Sequence, residues 1–102
     1  MEILINNNKI DVDIADTFFK RLIGLMGKKN IQKGLLFKKT SSIHTFFMRE
    51  NIDVLMLDKE KKILLVKKNL NKNKILIKKK AYYTIELPIN TIPNTDNLEI
   101  KF

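Results

Sequence analysis

The stretch from Ile43 to Asp58, Ile-His-Thr-Phe-Phe-Met-Arg-Glu-Asn-Ile-Asp-Val-Leu-Met-Leu-Asp, constrains the fold of this chain more than any other. Two apolar runs, Phe46-Phe47-Met48 and Val54-Leu55-Met56-Leu57, flank the polar Arg49-Glu50-Asn51. That order predicts a strand, a short loop and a second strand. The stretch also holds the only histidine, His44, and a carboxylate, Asp53, set among apolar residues. A polar group on a strand that feeds a core must find a partner or stay near water. The predicted hairpin is therefore where fold and chemistry meet.

Apolar runs elsewhere are equally short. None exceeds the four residues of Val54–Leu57 or Ile63–Val66, far below the roughly 18 that a membrane span requires, so no span is expected. A chain of 102 residues is expected to form one domain over 1–102. It has no cysteine, so packing must supply stability without disulfides or thiolate metal sites. The start, Met1-Glu2-Ile3-Leu4-Ile5-Asn6, lacks the basic and apolar regions of a secretory signal, and a cytoplasmic location is expected.

Read in order, Glu2–Ile5 and Lys9–Ile14 flank Asn6-Asn7-Asn8 and predict an N-terminal hairpin, with Ile10, Val12 and Ile14 alternating against Asp11 and Asp13. Asp16 or Thr17 then suits a helix N-cap, and Phe18, Phe19, Leu22, Ile23 and Met26 fall on one face up to Gly27. Arg21 stands at the border of that stripe. Leu35-Leu36-Phe37 predicts a strand, Asp58–Lys62 a charged turn, Ile63–Val66 a buried strand and Lys67–Lys74 a loop. Ile75–Ile77, Ala81–Leu87 and Leu98–Phe102 complete the set, Tyr83, Ile85 and Leu87 sharing one face. The fold class expected is α+β: a β-rich, mostly antiparallel, strongly bent or barrel-like sheet with one main helix near residues 16–26. Phe18, Leu22, Phe46, Val54, Leu65 and Ile85 are expected to share one core.

The net charge of +9 raises the question of nucleic acid. Of the 20 basic residues, however, 18 are lysine, and only Arg21 and Arg49 could supply guanidinium forks. The densest basic region, Lys67–Lys80, contains no aromatic residue for stacking. A solvated lysine-rich surface is the expectation, and a nucleic-acid partner is disfavoured.

Several pieces together resemble a known family: Arg21-Leu22-Ile23-Gly24-Leu25-Met26-Gly27, Gly34-Leu35-Leu36-Phe37, Ile43-His44-Thr45-Phe46-Phe47-Met48, Ile52-Asp53-Val54-Leu55-Met56-Leu57-Asp58 and Glu86-Leu87-Pro88. In order and spacing, from about Ile10 onward, the chain is similar to the domain of unknown function 192. The resemblance implies a compact β-rich domain with one helix and carries no established activity. Where family members follow the glutamate-leucine-proline piece with a small residue and a glycine, this chain has Ile89 and Asn90. Their Gly-Asp turn near the end corresponds to Asn94-Thr95-Asp96-Asn97, and asparagine tolerates the same left-handed conformations.

The motifs carry Arg21, His44, Asp53 and Glu86 onto this chain as candidate ligand-binding residues, with Met26, Phe46 and Met48 as candidate pocket lining. An arginine, an imidazole and two carboxylates could bind a small polar ligand, serve as an acid–base site, or form an ion network that only fixes the fold. With a single histidine and no short ligand spacing, neither a metal nor any other cofactor is expected. Whether the chain is an enzyme stays open. The leading expectation is a non-catalytic small-ligand-binding or accessory module. The alternatives are a small hydrolase-like enzyme using His44, Asp53 and Glu86, and a protein- or nucleic-acid-interaction domain. Convergence of the four polar residues requires a hairpin register with Phe47 opposite Ile52, which would bring Asp53 across to the face of His44 and Phe46.

Overall fold

The computed structural model describes every residue except Phe18, Phe19, Arg21, Leu22 and Ile23. Nine strands follow in order: β1 (Glu2–Ile5), β2 (Asn8–Ile14), β3 (Gly34–Lys38), β4 (Ser42–His44), β5 (Ile52–Leu57), β6 (Ile63–Leu70), β7 (Ile75–Ile77), β8 (Tyr83–Pro88) and β9 (Ile100–Lys101). Seven of them form one sheet in the order β6-β5-β8-β3-β2-β1-β9, and β4 with β7 makes a separate two-stranded ribbon. The large sheet curls into a half-barrel. Every pairing is antiparallel except that of β2 with β3.

The fold is thus essentially all β, which corrects the α+β expectation: the elements among the described residues are all strands. Most of the apolar stripe that suggested a helix over 16–26, namely Phe18, Phe19, Leu22 and Ile23, lies outside the described residues, as does Arg21. At the margins of that stretch, Thr17 Oγ1 accepts the Lys20 N–H and Lys20 O accepts the Gly24 N–H. Apolar spacing of three and four residues, together with a capping residue, suggested more helix than the described architecture contains.

The N-terminal hairpin forms as its pattern requires. Ile5 pairs with Asn8, leaving Asn6 and Asn7 as a two-residue turn with φ of 48° and 69°. Asparagine is among the few residues that accept positive φ at both positions. Beyond it, β2 and β3 lie so close that a Cβ on Gly34 would stand 2.8 Å from Val12 Cγ1, 2.8 Å from Leu87 Cδ2 and 2.9 Å from Glu86 O. Glycine at 34 lets β2, β3 and β8 pack at that separation.

The central hairpin does not form. β4 pairs with β7, with His44 opposite Ile75, whereas β5 pairs with β6 and β8. Phe46-Phe47-Met48 is a turn: Met48 N donates to Thr45 O, and Phe47 has a φ of 62°. The register placing Phe47 opposite Ile52 is therefore also corrected. The cause is Thr45, buried and bound to a distant loop. Its N–H donates to Lys74 O and its carbonyl accepts Asn73 N–H, while Oγ1 donates to Asn71 O and accepts Lys74 N–H. These long-range bonds hold the chain away from β5 at the point where its apolar run predicts extension.

The lysine-rich stretch was also misjudged. β6 continues through Lys67, Lys68 and Asn69 to Leu70, over residues expected to form a loop, and Ile63–Leu65 are half-buried rather than buried. β6 is an edge strand, where lysines are tolerated because one side faces water, and where they discourage pairing with other chains.

Alternation of side chains along the central strands gives two cores, one on each sheet face, in place of the single core expected. The first contains Ile3, Ile5, Val12, Leu36, Leu55, Leu57, Ile85, Leu87 and Ile92. The second contains Leu35, Phe37, Ile52, Val54, Met56 and Leu70, covered by Leu25, Ile43 and Met48. Val54, Leu65 and Ile85 are thus divided between the faces, and Phe46 is exposed. Phe18 and Leu22 lie outside the described residues.

Candidate functional site

Strand alternation places Glu86 on the face of the second core. It pairs with Leu35 on β3 and with Val54 on β5, so all three side chains share that face. The ribbon and the turn from Gly24 to Gly27 cover it. That turn is tied to the 45–48 turn by the Gly27 N–H donating to Phe47 O at 3.0 Å, with Gly24 and Gly27 at φ 55° and 75°. Between these parts lies a cavity of about 240 Å³, bounded by the 24–26 turn, β3, β4, the 46–48 turn and β8.

Glu86 is 3% exposed, and its Oε1 has no hydrogen-bond partner among the described residues. A Cβ on Gly24 would stand 3.1 Å from that oxygen and 3.5 Å from Phe37 Cζ. The glycine therefore serves both the left-handed turn and the space above the carboxyl. Burial pushes the Glu86 carboxyl up to about 7, opposed by a smaller pull from a hydrogen bond with the Leu25 backbone. A carboxyl so placed changes charge near neutrality.

His44, on β4, lines the same cavity. Its Nδ1 accepts the Phe46 N–H at 3.2 Å, so in the neutral ring the proton resides on Nε2. The imidazole stacks on Phe46 with ring centroids 5.2 Å apart and 23° between planes. The cavity thus presents one acceptor at its floor and one imidazole at its side, with Thr40 and Ser42 nearby. Leu25, Met26, Phe37, Ile43, Phe46 and Met48 supply apolar lining.

Of the sequence-predicted site residues, His44, Glu86, Met26, Phe46 and Met48 line this one cavity, and Arg21 lies outside the described residues. Asp53 does not join them. It pairs with Leu87 on β8, which directs it to the opposite face of the sheet from Glu86. There Asp53 Oδ1 accepts the Asn69 N–H at 2.8 Å, and Oδ2 accepts the N–H groups of Thr91 and Ile92, both at 3.3 Å. The β5–β6 register shifts between Ile52 and Val54, and Asp53 satisfies the backbone exposed by that irregularity. It is a buried staple, and it does not sit beside His44 as the hydrolase-like alternative requires. Substituting Asp53 with alanine strands three N–H groups and should cost about 2–4 kcal/mol. Urea unfolding would measure it, and a loss below about 1 kcal/mol would contradict this role.

Gly24, Leu25, Phe37, Thr40, Ser42 and Ile43 also line the cavity and were not among the residues expected there. Gly24 and Phe37 stand within the quoted motifs, but nothing in their spacing shows that both meet Glu86. Thr40 and Ser42 carried only the signature of a polar break.

An all-β half-barrel with an acid-floored cavity on one face defines a small β-protein with a ligand-sized recess. The chain belongs to the family of the domain of unknown function 192, described as an uncharacterized ACR, whose model matches residues 1–99. It is 39% identical over 87 residues to a UPF0127 protein of Thermococcus sibiricus, covering 79% of this chain and 56% of that protein. It is 38% identical over 101 residues to a UPF0127 protein of Pyrococcus abyssi, covering 87% and 85%. The chain spans little more than half the length of the Thermococcus relatives it matches. Its fold is shared with a protein of unknown function from Novosphingobium aromaticivorans, at a TM-score of 0.83 and 9% identity over 100% of this chain and 84% of that one. A candidate transcription regulator from Sinorhizobium meliloti shares it at 0.75 and 18%, over 96% and 89%. At such identities the likeness concerns fold alone. The family is uncharacterised, and no catalytic function attaches to the names of the UPF0127 relatives. Asn90 has a φ of 65°, a left-handed conformation that asparagine tolerates.

No helix among the described residues is long and apolar enough to cross a membrane.

Proposed function

We propose that this protein is a small-ligand-binding module, with the ligand seated between Glu86 and His44. The observation that carries this reading is the buried Glu86 Oε1, which has no partner among the described residues and belongs to a residue that lines the cavity. A buried polar atom left unsatisfied costs free energy that a ligand donor recovers. The surroundings fit the usual form of a binding site: mostly apolar walls with a few convergent polar groups. At about 240 Å³ the recess lies below the roughly 300 Å³ at which drug-sized pockets begin, so its ligand is small. Among the described residues the cavity lining contains no lysine or arginine, and this sets it apart from the lysine-rich surface.

The test is a two-dimensional NMR titration of the isotope-labelled protein with a library of small soluble fragments. Binding at this site should shift the signals of Gly24, His44, Phe46 and Met48 together, leaving those of Asp53, Asn69 and Thr91 in place. Shifts confined to the lysine-rich surface, or none at the cavity, would refute the proposal.

A further inference from the structure

We infer that the cavity takes a small organic cation, a primary ammonium on a short apolar body, held through a charged hydrogen bond to Glu86 Oε1. This inference rests on the binding-module reading above and deepens it by naming the ligand class. Three separate features of the site select for such a ligand.

The first is what the carboxyl lacks. Facing Glu86 from the packed elements are Leu35 and Phe37 of β3, Val54 of β5, and Leu25 and Met26 of the 24–27 turn. The ribbon contributes His44, the only other titratable side chain among the described lining residues. None of these is a fixed cation, and no salt bridge to Glu86 occurs among the described residues. A buried carboxylate is stabilised by an opposite charge with good hydrogen-bond geometry, and an ammonium supplies three donors.

The second is the wall chemistry. Phe37 and Phe46 offer aromatic rings, and Met26 and Met48 polarizable thioethers, around a single acid. Aromatic faces attract organic cations, and thioethers adapt to the shape of an alkyl body. An anion would meet no lysine or arginine among the described lining residues and would face the carboxylate. The third is the room left beside the carboxyl. Gly24 keeps side-chain atoms off the Oε1 oxygen, where a Cβ would press to 3.1 Å. The overall charge of +9 opposes a cation only at long range, because salt at physiological strength screens charges beyond roughly 8 Å.

The experiment compares n-butylammonium, n-butanol and butyrate by NMR titration of the intact protein at pH 6 and pH 8. Butylammonium stays protonated at both values, so the change in its affinity reports the charge of Glu86. With the carboxyl titrating near 7, its ionised fraction and the affinity should rise about tenfold from pH 6 to pH 8. Glu86→Gln, checked as folded by its amide spectrum, should erase the preference for butylammonium over butanol. Preference for butyrate, or tighter ammonium binding at pH 6, would overturn the cation while leaving the binding-module reading intact. Equal binding of ammonium and alcohol to the parent protein would do the same. If none of the three shifts a cavity signal, the cation inference falls, and the fragment titration above decides the binding-module reading separately.

Discussion

Replacing Leu55 with alanine is expected to remove about 2–5 kcal/mol of stability. Leu55 is fully buried on a central strand, paired with Val66 on one side and Ile85 on the other. Its neighbours belong to a sheet held from both edges of β5, so the space left behind cannot collapse easily. Proteins of this size have only about 5–15 kcal/mol in total, so one truncation should remove a large share. Leu65, half-buried on edge strand β6, should lose clearly less on the same change. Chemical denaturation of both variants would read the difference. A Leu55 variant as stable as the Leu65 variant would mean that the sheet interior is not packed as described.

The second large effect is a dependence of stability on pH. In the folded protein Glu86 titrates at about 7, above its ordinary 4.5. An acid raised in the folded state binds more protons folded than unfolded between those values. The stability it contributes is fully present below 4.5 and is lost as pH rises through 7. At about 1.4 kcal/mol per pH unit, the whole loss is on the order of 3 kcal/mol. The informative quantity is the difference between the parent and Glu86→Gln. The variant should gain on the parent steadily between pH 5 and pH 7.5 and be the more stable of the two at pH 8. Urea midpoints across that range would measure it, and two parallel curves would contradict the burial of the carboxyl.

Sequence and structure agree where local pattern decides conformation. The alternation of Ile10, Val12 and Ile14, the asparagine turn before them, and the shared face of Tyr83, Ile85 and Leu87 are local properties of the chain, and each appears as expected. Disagreement begins where distant residues intervene. Phe46-Phe47-Met48 has the composition of a strand, yet Thr45 is bound to residues 71–74 and the segment turns instead. Lys67–Leu70 has the composition of a loop, yet an edge position beside β5 extends it. The same distinction governs the site. His44, Glu86, Met26, Phe46 and Met48 were identifiable from motif residues and do line one cavity. The face on which Asp53 falls depended on pairing partners, and β8, not β4, is the strand that sets it. No rule of spacing within Ile43–Asp58 contains that information.

The pairing of β1 with β9 has a consequence for how the chain reaches this structure. Leu4 pairs with Lys101 and Ile5 with Ile100, while the Asn6 side chain bonds to Asn97 and Glu99. Partners separated by almost the entire sequence must meet, and the parallel β2–β3 pair adds another contact that no tight hairpin can make. Closing such long loops costs chain entropy before contacts repay it, which places folds of this type on a timescale of milliseconds to seconds. The β1–β2 and β5–β6 hairpins are local enough to form early. The edge at β1 stays open until β9 pairs with it, so before that pairing this margin of the sheet is exposed to pairing with another molecule.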